Sequence, residues 1–461
     1  MELNKKIDLL QEELIEKTQE LIKIRSIEGE EKPGMPFGEE VNDALIYTLE
    51  LGKKLGFKTK NIDGYMGYLE YGEGDEMVGV LGHLDIVPEG DGWNFDPYGG
   101  EIHDGKIFGR GAIDDKGPIV SCIYGLYALK EIGFKPNKRI RILLGTNEET
   151  GSQEVGYYLK KEEAPTLGFT PDGFFPIIFA EKGLTVFSLV KNFNLLEKCP
   201  VVYIKGGNRE NMVPDYCEVG IKIEDKQPII EKVVSYSKAN SINLSYEIND
   251  ELLILKCVGF SAHGSMPELG QNAIMQSLIF LNYLNICDGE VGETIRFLVE
   301  NIGLETNGKS FGVYLKDDAS GELTFNVGTI RMSENSMLLG LNLRYPVTCT
   351  FEQMMNPLEE KIEKVGFKVE NMDHQKPLYF PKDHKLIEIL AKVYHEQTGE
   401  EAELLAIGGG TYAKEMPNTV AFGPVFPGKP DLCHQSNEYI EIQELMKMTK
   451  IYANVIKELS E

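Results

Sequence analysis

Five short stretches carry the residue types that bind metal ions and move protons. "VLGHLD" (80–85) holds His83 and Asp85, and "GRGAIDDKG" (109–117) holds Asp114 and Asp115. "NEETG" (147–151) holds adjacent Glu148 and Glu149, "TPDGFF" (170–175) holds Asp172, and "DLCHQSNEY" (431–439) holds His434. Each has a plain structural reading: a satisfied core histidine, a helix N-cap, a turn aspartate or a solvated glutamate. Together they describe a different chemistry. Histidine with several carboxylates is the donor set of a divalent-metal hydrolytic site. His83 and Asp85 lie two apart, so on an extended backbone they point to the same side. A carboxylate there would hold one nitrogen of the imidazole while the other binds metal.

The elements that must position these groups follow from hydrophobic pattern. "MVGVLGHLDIV" and "RIRILLGT" are continuous apolar runs closed by turns, the signature of buried parallel strands. They alternate with helical stretches such as "KGPIVSCIYGLYALKEIG", which predicts an α/β domain. Ligands in such folds bind past the carboxyl ends of the strands, and four predicted strand ends here carry a ligand-type residue. Between 184 and 376 the pattern changes to alternating strands ("GLTVFSLV", "CEVGIKI", "LLILKCVGF", "LLGLNLRY") with interspersed helices. The α/β style then returns in "HKLIEILAKVYHEQTG". The expected architecture is α/β: a discontinuous catalytic domain, 1–183 and 377–461, with a central largely parallel sheet flanked by helices. It is interrupted at 184–376 by an inserted α+β lid domain.

Composition excludes several classes. With 47 basic and 73 acidic residues the formal charge is −26, which argues against nucleic acid and anionic membrane as partners. The "MELNKKIDLLQEELIEKTQELIKIR" segment reads as an amphipathic surface helix, neither a signal peptide nor a membrane span. Seven cysteines are dispersed without a CxxC pair, consistent with reduced thiols and a cytoplasmic location.

The inserted segment offers further candidates. "GFSAHGSMPELGQNA" places His263 in a Gly/Ser-rich loop, "NMVPD" offers Asn211, and "NLRYP" places Arg344 at the end of an apolar strand. An unpaired guanidinium there is costly, so either an internal salt bridge or a ligand carboxylate is expected. "AIGGGTYAKE" (406–415) lacks the patterns of nucleotide-binding loops. Gly409, Gly410 and Thr411 are read instead as a cradle for a carboxylate.

The ordered set HxD, GRGxxDxKG, EE, a later Asp and a late HQxNE resembles the aminoacylase, carnosinase and glutamate-carboxypeptidase family of cocatalytic zinc hydrolases. Within it the bacterial dipeptidase type is most similar, through "GRGAIDDKGP", "TPDGFFP", "SAHGSMPELGQNA", "IGGGTYA" and "HQSNEYI". The resemblance implies that His83 and Asp172 hold one metal ion, Glu149 and His434 a second, and Asp114 bridges both. Asp115 is left as a helix-start residue and Asp85 as the group orienting His83. The resemblance also implies a non-proline cis bond near Asp114 or Asp115.

Three carboxylates against two dications leave one positive charge, which favours hydroxide over water. Glu148 is then the general base, and His263 a donor to the developing oxyanion. Two adjacent glutamates can divide these tasks only if the backbone is irregular, since a plain strand sends them to opposite faces. Cys433, beside His434, is expected to pack and not to ligate. The implied activity is hydrolysis of short peptides with a free N-terminus and a C-terminal carboxylate, using two ions. Zinc is favoured, with manganese or cobalt as alternatives. Two other readings stay open: an N-acyl amino acid amidohydrolase of the aminoacylase or desuccinylase sort, and a catalytically silent metal-binding protein. The long insertion is expected to close the site within one chain, giving a monomer.

Overall fold

A computed structural model describes residues 2–193 and 199–461. The chain divides into two compact units. The first comprises 1–179, 380–405 and 410–461, and the second comprises 180–379 and 406–409.

The first unit is built on a twisted sheet. Seven of its nine strands run in the order Lys58–Ile62, Met66–Tyr71, Arg139–Gly145, Met77–His83, Leu167–Thr170, Thr419–Ala421 and Ile177–Glu181. The middle pairings are parallel and those towards the margins antiparallel. Met77–His83 is buried at all seven positions, as a central strand covered on both faces must be. Helices Lys116–Glu131 and Ile442–Ser460 pack on each other against this sheet. The N-terminal segment forms two helices, Glu2–Leu9 and Gln11–Ile22, where one was expected. Thr419–Ala421 pairs in parallel with Leu167–Thr170, so a strand from beyond the insertion completes the sheet begun before it.

The second unit contains an eight-stranded sheet, entirely antiparallel in its pairings. Helices Ala273–Leu284, Gly289–Asn301 and Phe351–Glu363 contribute to one apolar core with residues of alternate strand positions, such as Leu339, Leu341 and Leu343. The unit begins and ends within four residues of the expected limits, but it also takes in Ala406–Gly409, which the sequence reading assigned to the catalytic domain. Backbone bonding accounts for this: Lys182 N–H donates to Ile407 O at 3.0 Å, and Arg344 donates to Gly408 O at 2.5 Å. Among the described residues no helix is long and apolar enough to cross a membrane.

Candidate active site

At the carboxyl end of its strand, His83 is fully buried and meets carboxylates on both ring nitrogens. Nε2 lies 3.0 Å from Asp114 Oδ1. Nδ1 lies 3.0 Å from the Asp85 backbone oxygen, with the Asp85 carboxylate at 3.5 Å. The other oxygen of Asp114 faces His434 Nε2 at 3.2 Å, and that nitrogen also meets Glu149 Oε2 at 2.9 Å. Asp114 thus presents one oxygen to each imidazole.

The backbone explains how these groups converge. The peptide bond between Asp114 and Asp115 is cis. The Asp115 carboxylate accepts the His83 backbone N–H at 3.1 Å. Gly82 permits this approach, because a Cβ there would lie 2.4 Å from Asp115 Oδ2 and 2.1 Å from Ile119. Asp115 does stand at the start of helix Lys116–Glu131, but its side chain does not cap that helix. The strand Arg139–Gly145 gives way to a 3₁₀ turn at Glu148–Thr150. The Asp85 carboxylate accepts the N–H groups of Glu148 at 3.2 Å and Glu149 at 3.0 Å. Asp85 therefore holds the glutamate turn as well as bordering the histidine, a task the HxD spacing did not disclose.

Two sets of residues each bring their potential ligand atoms within 4.8 Å of one another: His83 with Asp114 and Glu149, and His83 with Glu148 and Asp172. Burial of so many acids has an electrostatic cost. Burial and the Asp114 charge push Asp172 up to about 7, and burial followed by Asp172 pushes Glu148 well up. Burial also raises Glu149. Asp114 is held low: burial opposes its ionisation, but hydrogen bonds from His434 and His83 outweigh it. His434 is driven up to about 10 by its bonds to Asp114 and Glu149. Among the described residues no lysine or arginine forms an ion pair with Asp114, Glu148, Glu149 or Asp172. Four clustered carboxylates with two imidazoles and no fixed cation are what divalent ions would neutralise, so the donor set fits a metal centre.

Two further buried residues, Glu438 in the HQxNE motif and Tyr412 in "IGGGTYA", were given no role by the sequence. Glu438 is fully buried and pairs with Arg110 at 2.7 Å. Its carboxylate also accepts the N–H groups of Gly111 at 3.1 Å, Ile113 at 2.9 Å and Asp114 at 3.3 Å. Glu438 lies four residues beyond His434, so it fastens the Asp114 loop to the histidine loop. Tyr412, also buried, donates to Glu154 and lies edge-on to the His83 ring at 6.0 Å. Cys433 has its thiol pushed up, first by burial, and so is not a ready thiolate. The Thr411 hydroxyl accepts the Ala413 N–H at 3.2 Å and caps the turn Tyr412–Lys414.

Within the second unit, Asn211 and His263 are neighbours. The Asn211 carbonyl accepts the Gly264 N–H at 2.7 Å, Ala262 O accepts the Val213 N–H at 2.8 Å, and Met212 bridges His263. The His263 side chain is exposed and bonds Ser265 Oγ through Nδ1 at 2.6 Å. Its pKa is lowered, by burial first and then by the Arg344 charge. Arg344 is 3% exposed. It donates Nε to Asn342 at 3.0 Å and Nη1 to Gly408 O, with Gly409 bordering it. No internal salt bridge satisfies it among the described residues, and burial lowers it to about 10 with no carboxylate contribution.

A model of the peptidase family M20/M25/M40 matches residues 79–458. The Bacillus subtilis (strain 168) protein named "Putative dipeptidase YtjP" is 42% identical over 455 residues, covering 97% of each chain. A Staphylococcus epidermidis (strain ATCC 12228 / FDA PCI 1200) protein named "Putative dipeptidase" is 35% identical over 458 residues, 96% of each. The fold is shared with human carnosine dipeptidase 1, at a TM-score of 0.55 and 16% identity over 99% of this chain and 98% of that one. It is shared also with the Saccharomyces cerevisiae dipeptidase Dug1p, at a TM-score of 0.56 and 14% identity over 100% and 98%. With the histidine–carboxylate centre lying inside the matched span, this chain belongs to the peptidase family M20/M25/M40.

Proposed function

We propose that this protein is a two-metal dipeptidase that hydrolyses peptides with a free N-terminus and a free C-terminal carboxylate. The observation carrying this reading is the placement of Asp114, one oxygen towards each histidine, beside a Glu148 that binds neither. In this scheme His83 and Asp172 hold one ion, Glu149 and His434 the other, and Asp114 both; zinc is the favoured metal and manganese or cobalt the alternatives. Bound ions acidify water and polarise the scissile carbonyl. Glu148 removes the proton from the attacking water and returns it to the leaving amine. Asp85 keeps Glu148 aimed by holding its backbone N–H. His263 and Asn211 donate to the oxygen on which negative charge develops. Arg344 receives the substrate's C-terminal carboxylate, which answers its lack of an internal acid. The Gly409–Thr411 loop supports the same end. We place the enzyme in the cytoplasm, active as a monomer.

The test is a panel of dipeptides, their amides and N-acyl amino acids, assayed after chelation and with zinc, manganese or cobalt restored. Dipeptides cleaved best, with activity lost on chelation, support the reading. Preference for N-acyl amino acids would make the protein an acylase. No turnover with any metal would leave a binding protein, for which the separately held Glu148 has no use. Monomer function is tested by mixing Glu148→Gln and His263→Ala proteins: restored activity would mean that His263 acts across a subunit boundary.

A further inference from the structure

The face of the second unit's sheet that carries Arg344 is unusual for its buried polar groups. On strand Ser336–Tyr345 the odd positions Leu339, Leu341 and Leu343 enter the apolar core, so Asn342 and Arg344 share the opposite face. On the neighbouring strand, Thr324–Met332, Asn326 is registered directly opposite Asn342, and Thr324 opposite Arg344. Asn326 and Asn342 are 1% and 0% exposed. Buried amides of this kind are retained at a cost unless they are bonded; one of their three bonds runs to Arg344 and the other two to the carbonyls on either side of Asn211.

Asn342 Oδ1 accepts Arg344 Nε at 3.0 Å, which fixes the plane of the guanidinium. Asn326 Nδ2 donates to Glu210 O at 2.8 Å and to Met212 O at 2.9 Å. Those carbonyls flank Asn211, whose own carbonyl is taken by Gly264 N–H. Three consecutive carbonyls are thereby pinned, and the last bond ties in the loop of His263. The strand can pass this close only because residue 328 is glycine: a Cβ there would lie 2.4 Å from the Glu210 Cα. Among the described residues two atoms of the pair remain without partners, an acceptor on Asn326 and a donor on Asn342. They belong to facing residues, and a direct bond or one bridging water would join the two halves into a single chain of bonds.

We propose that Asn326 and Asn342 are positioning residues of the hydrolytic reaction. Asn326 clamps the backbone beneath Asn211 and His263, and Asn342 fixes the plane in which Arg344 meets a carboxylate. The inference rests on the recognition roles proposed above for Asn211, His263 and Arg344. It adds that these three side chains are preset by one buried amide pair, so that substrate meets a fixed constellation. Preorganisation of this kind governs rate, because a misplacement near 1 Å can cost about 100-fold.

The two halves predict different kinetic signatures in the full-length, metal-loaded enzyme. Asn326→Asp keeps the size and the acceptor but removes both donors. It is expected to lower kcat about 10- to 100-fold with little change in KM and with metal content unchanged. Hydrogen exchange should quicken in peptides covering 209–214 and 261–266, whose amides the clamp protects. Asn342→Leu removes the acceptor of Arg344. It is expected to raise KM about tenfold for a free dipeptide while leaving KM for the same dipeptide amide unchanged. If the aspartate variant fails to fold, Asn326→Ser takes its place with the same readouts. A kcat within twofold of wild type, or unchanged exchange in both loops, would overturn the clamp. An equal rise in KM for free and amidated substrates would overturn the role of Asn342. Arg344→Ala and His263→Ala are run alongside. If they leave kinetics unchanged, the recognition scheme itself fails, and faster exchange in Asn326→Asp tells that failure apart from failure of the clamp.

Discussion

Asp85 accepts the backbone N–H of Glu148 at 3.2 Å and so fixes the first residue of a 3₁₀ turn that two adjacent acids share. One carboxylate restrains the proposed base without touching its side chain. Glu148→Gln should therefore retain both metals and the same turn, yet lose about 10²–10⁴-fold in turnover, the usual share of general acid–base catalysis. Metal analysis with steady-state kinetics checks this; near-normal turnover in a metal-replete variant would remove Glu148 from the role.

The Arg110–Glu438 pair predicts a different phenotype. Removing one partner of a fully buried ion pair costs about 3–5 kcal/mol, and Glu438 also holds three backbone N–H groups of the Asp114 loop. Glu438→Ala should lower Tm markedly and weaken metal retention, although Glu438 is not itself a ligand. Thermal melts in the presence and absence of metal separate the two effects. A variant with wild-type Tm and metal content would show that the loop stands without it.

The proposed role of Arg344 makes the contribution of a substrate carboxylate measurable. Arg344→Ala should raise KM for free dipeptides steeply, by the equivalent of roughly 2–5 kcal/mol for a buried charge contact. It should close the gap between free and amidated substrates. Equal hydrolysis of the two by the wild-type enzyme would contradict the assignment.

Metal loading should be coupled to protons. In the ion-free protein His434 is held up to about 10 by Asp114 and Glu149, so its ring is protonated at neutral pH. Asp172, raised to about 7 by burial and Asp114, is partly protonated there. An ion requires both groups deprotonated. Binding must therefore release protons, and affinity should rise from pH 6 to pH 9. Calorimetry in two buffers of different ionisation enthalpy measures the release. A pH-independent affinity would count against these ligands.

Glu154 gives a stability test away from the metal donors. Burial, and then the charge of Asp85, raise it from 4.5 to about 8. A raised acid contributes fully below the unfolded pKa, and its contribution is lost as pH climbs through the folded one. Tm should fall between pH 5 and pH 9, and Glu154→Gln should flatten that fall. Parallel pH–Tm curves for both proteins would exclude it as the cause.

Much of this was legible in the residues. Continuous apolar runs identified the central strands, and His83, Glu149 and Asp172 stand at or just past their ends, whereas Asp114 and His434 reach the same cluster from loops. What pattern could not convey was the wiring between segments. HxD spacing suggested that Asp85 serves His83, but not that its carboxylate also accepts N–H groups from a turn more than sixty residues away. Glu438 stood in the HQxNE motif without an assigned role, because nothing local marks an acid that pairs with Arg110 across the fold. Ala406–Gly409 was assigned by its position in the chain, but long-range backbone bonds decide where it belongs. Such partners have no period in the sequence, so hydrophobic pattern is silent about them.

The parallel pairing of Leu167–Thr170 with Thr419–Ala421 has a consequence for biosynthesis. Synthesis from the N-terminus makes the acidic donors and their strands early, while the strand that closes the sheet and His434 emerge only after the whole insertion. A nascent chain thus carries an incomplete sheet and an unfinished donor set until the whole insertion has been made. Closing so long a loop costs only logarithmically more than closing a short one, but it delays the contact that rewards it. A chain cut short within the insertion would lack both the closing strand and His434.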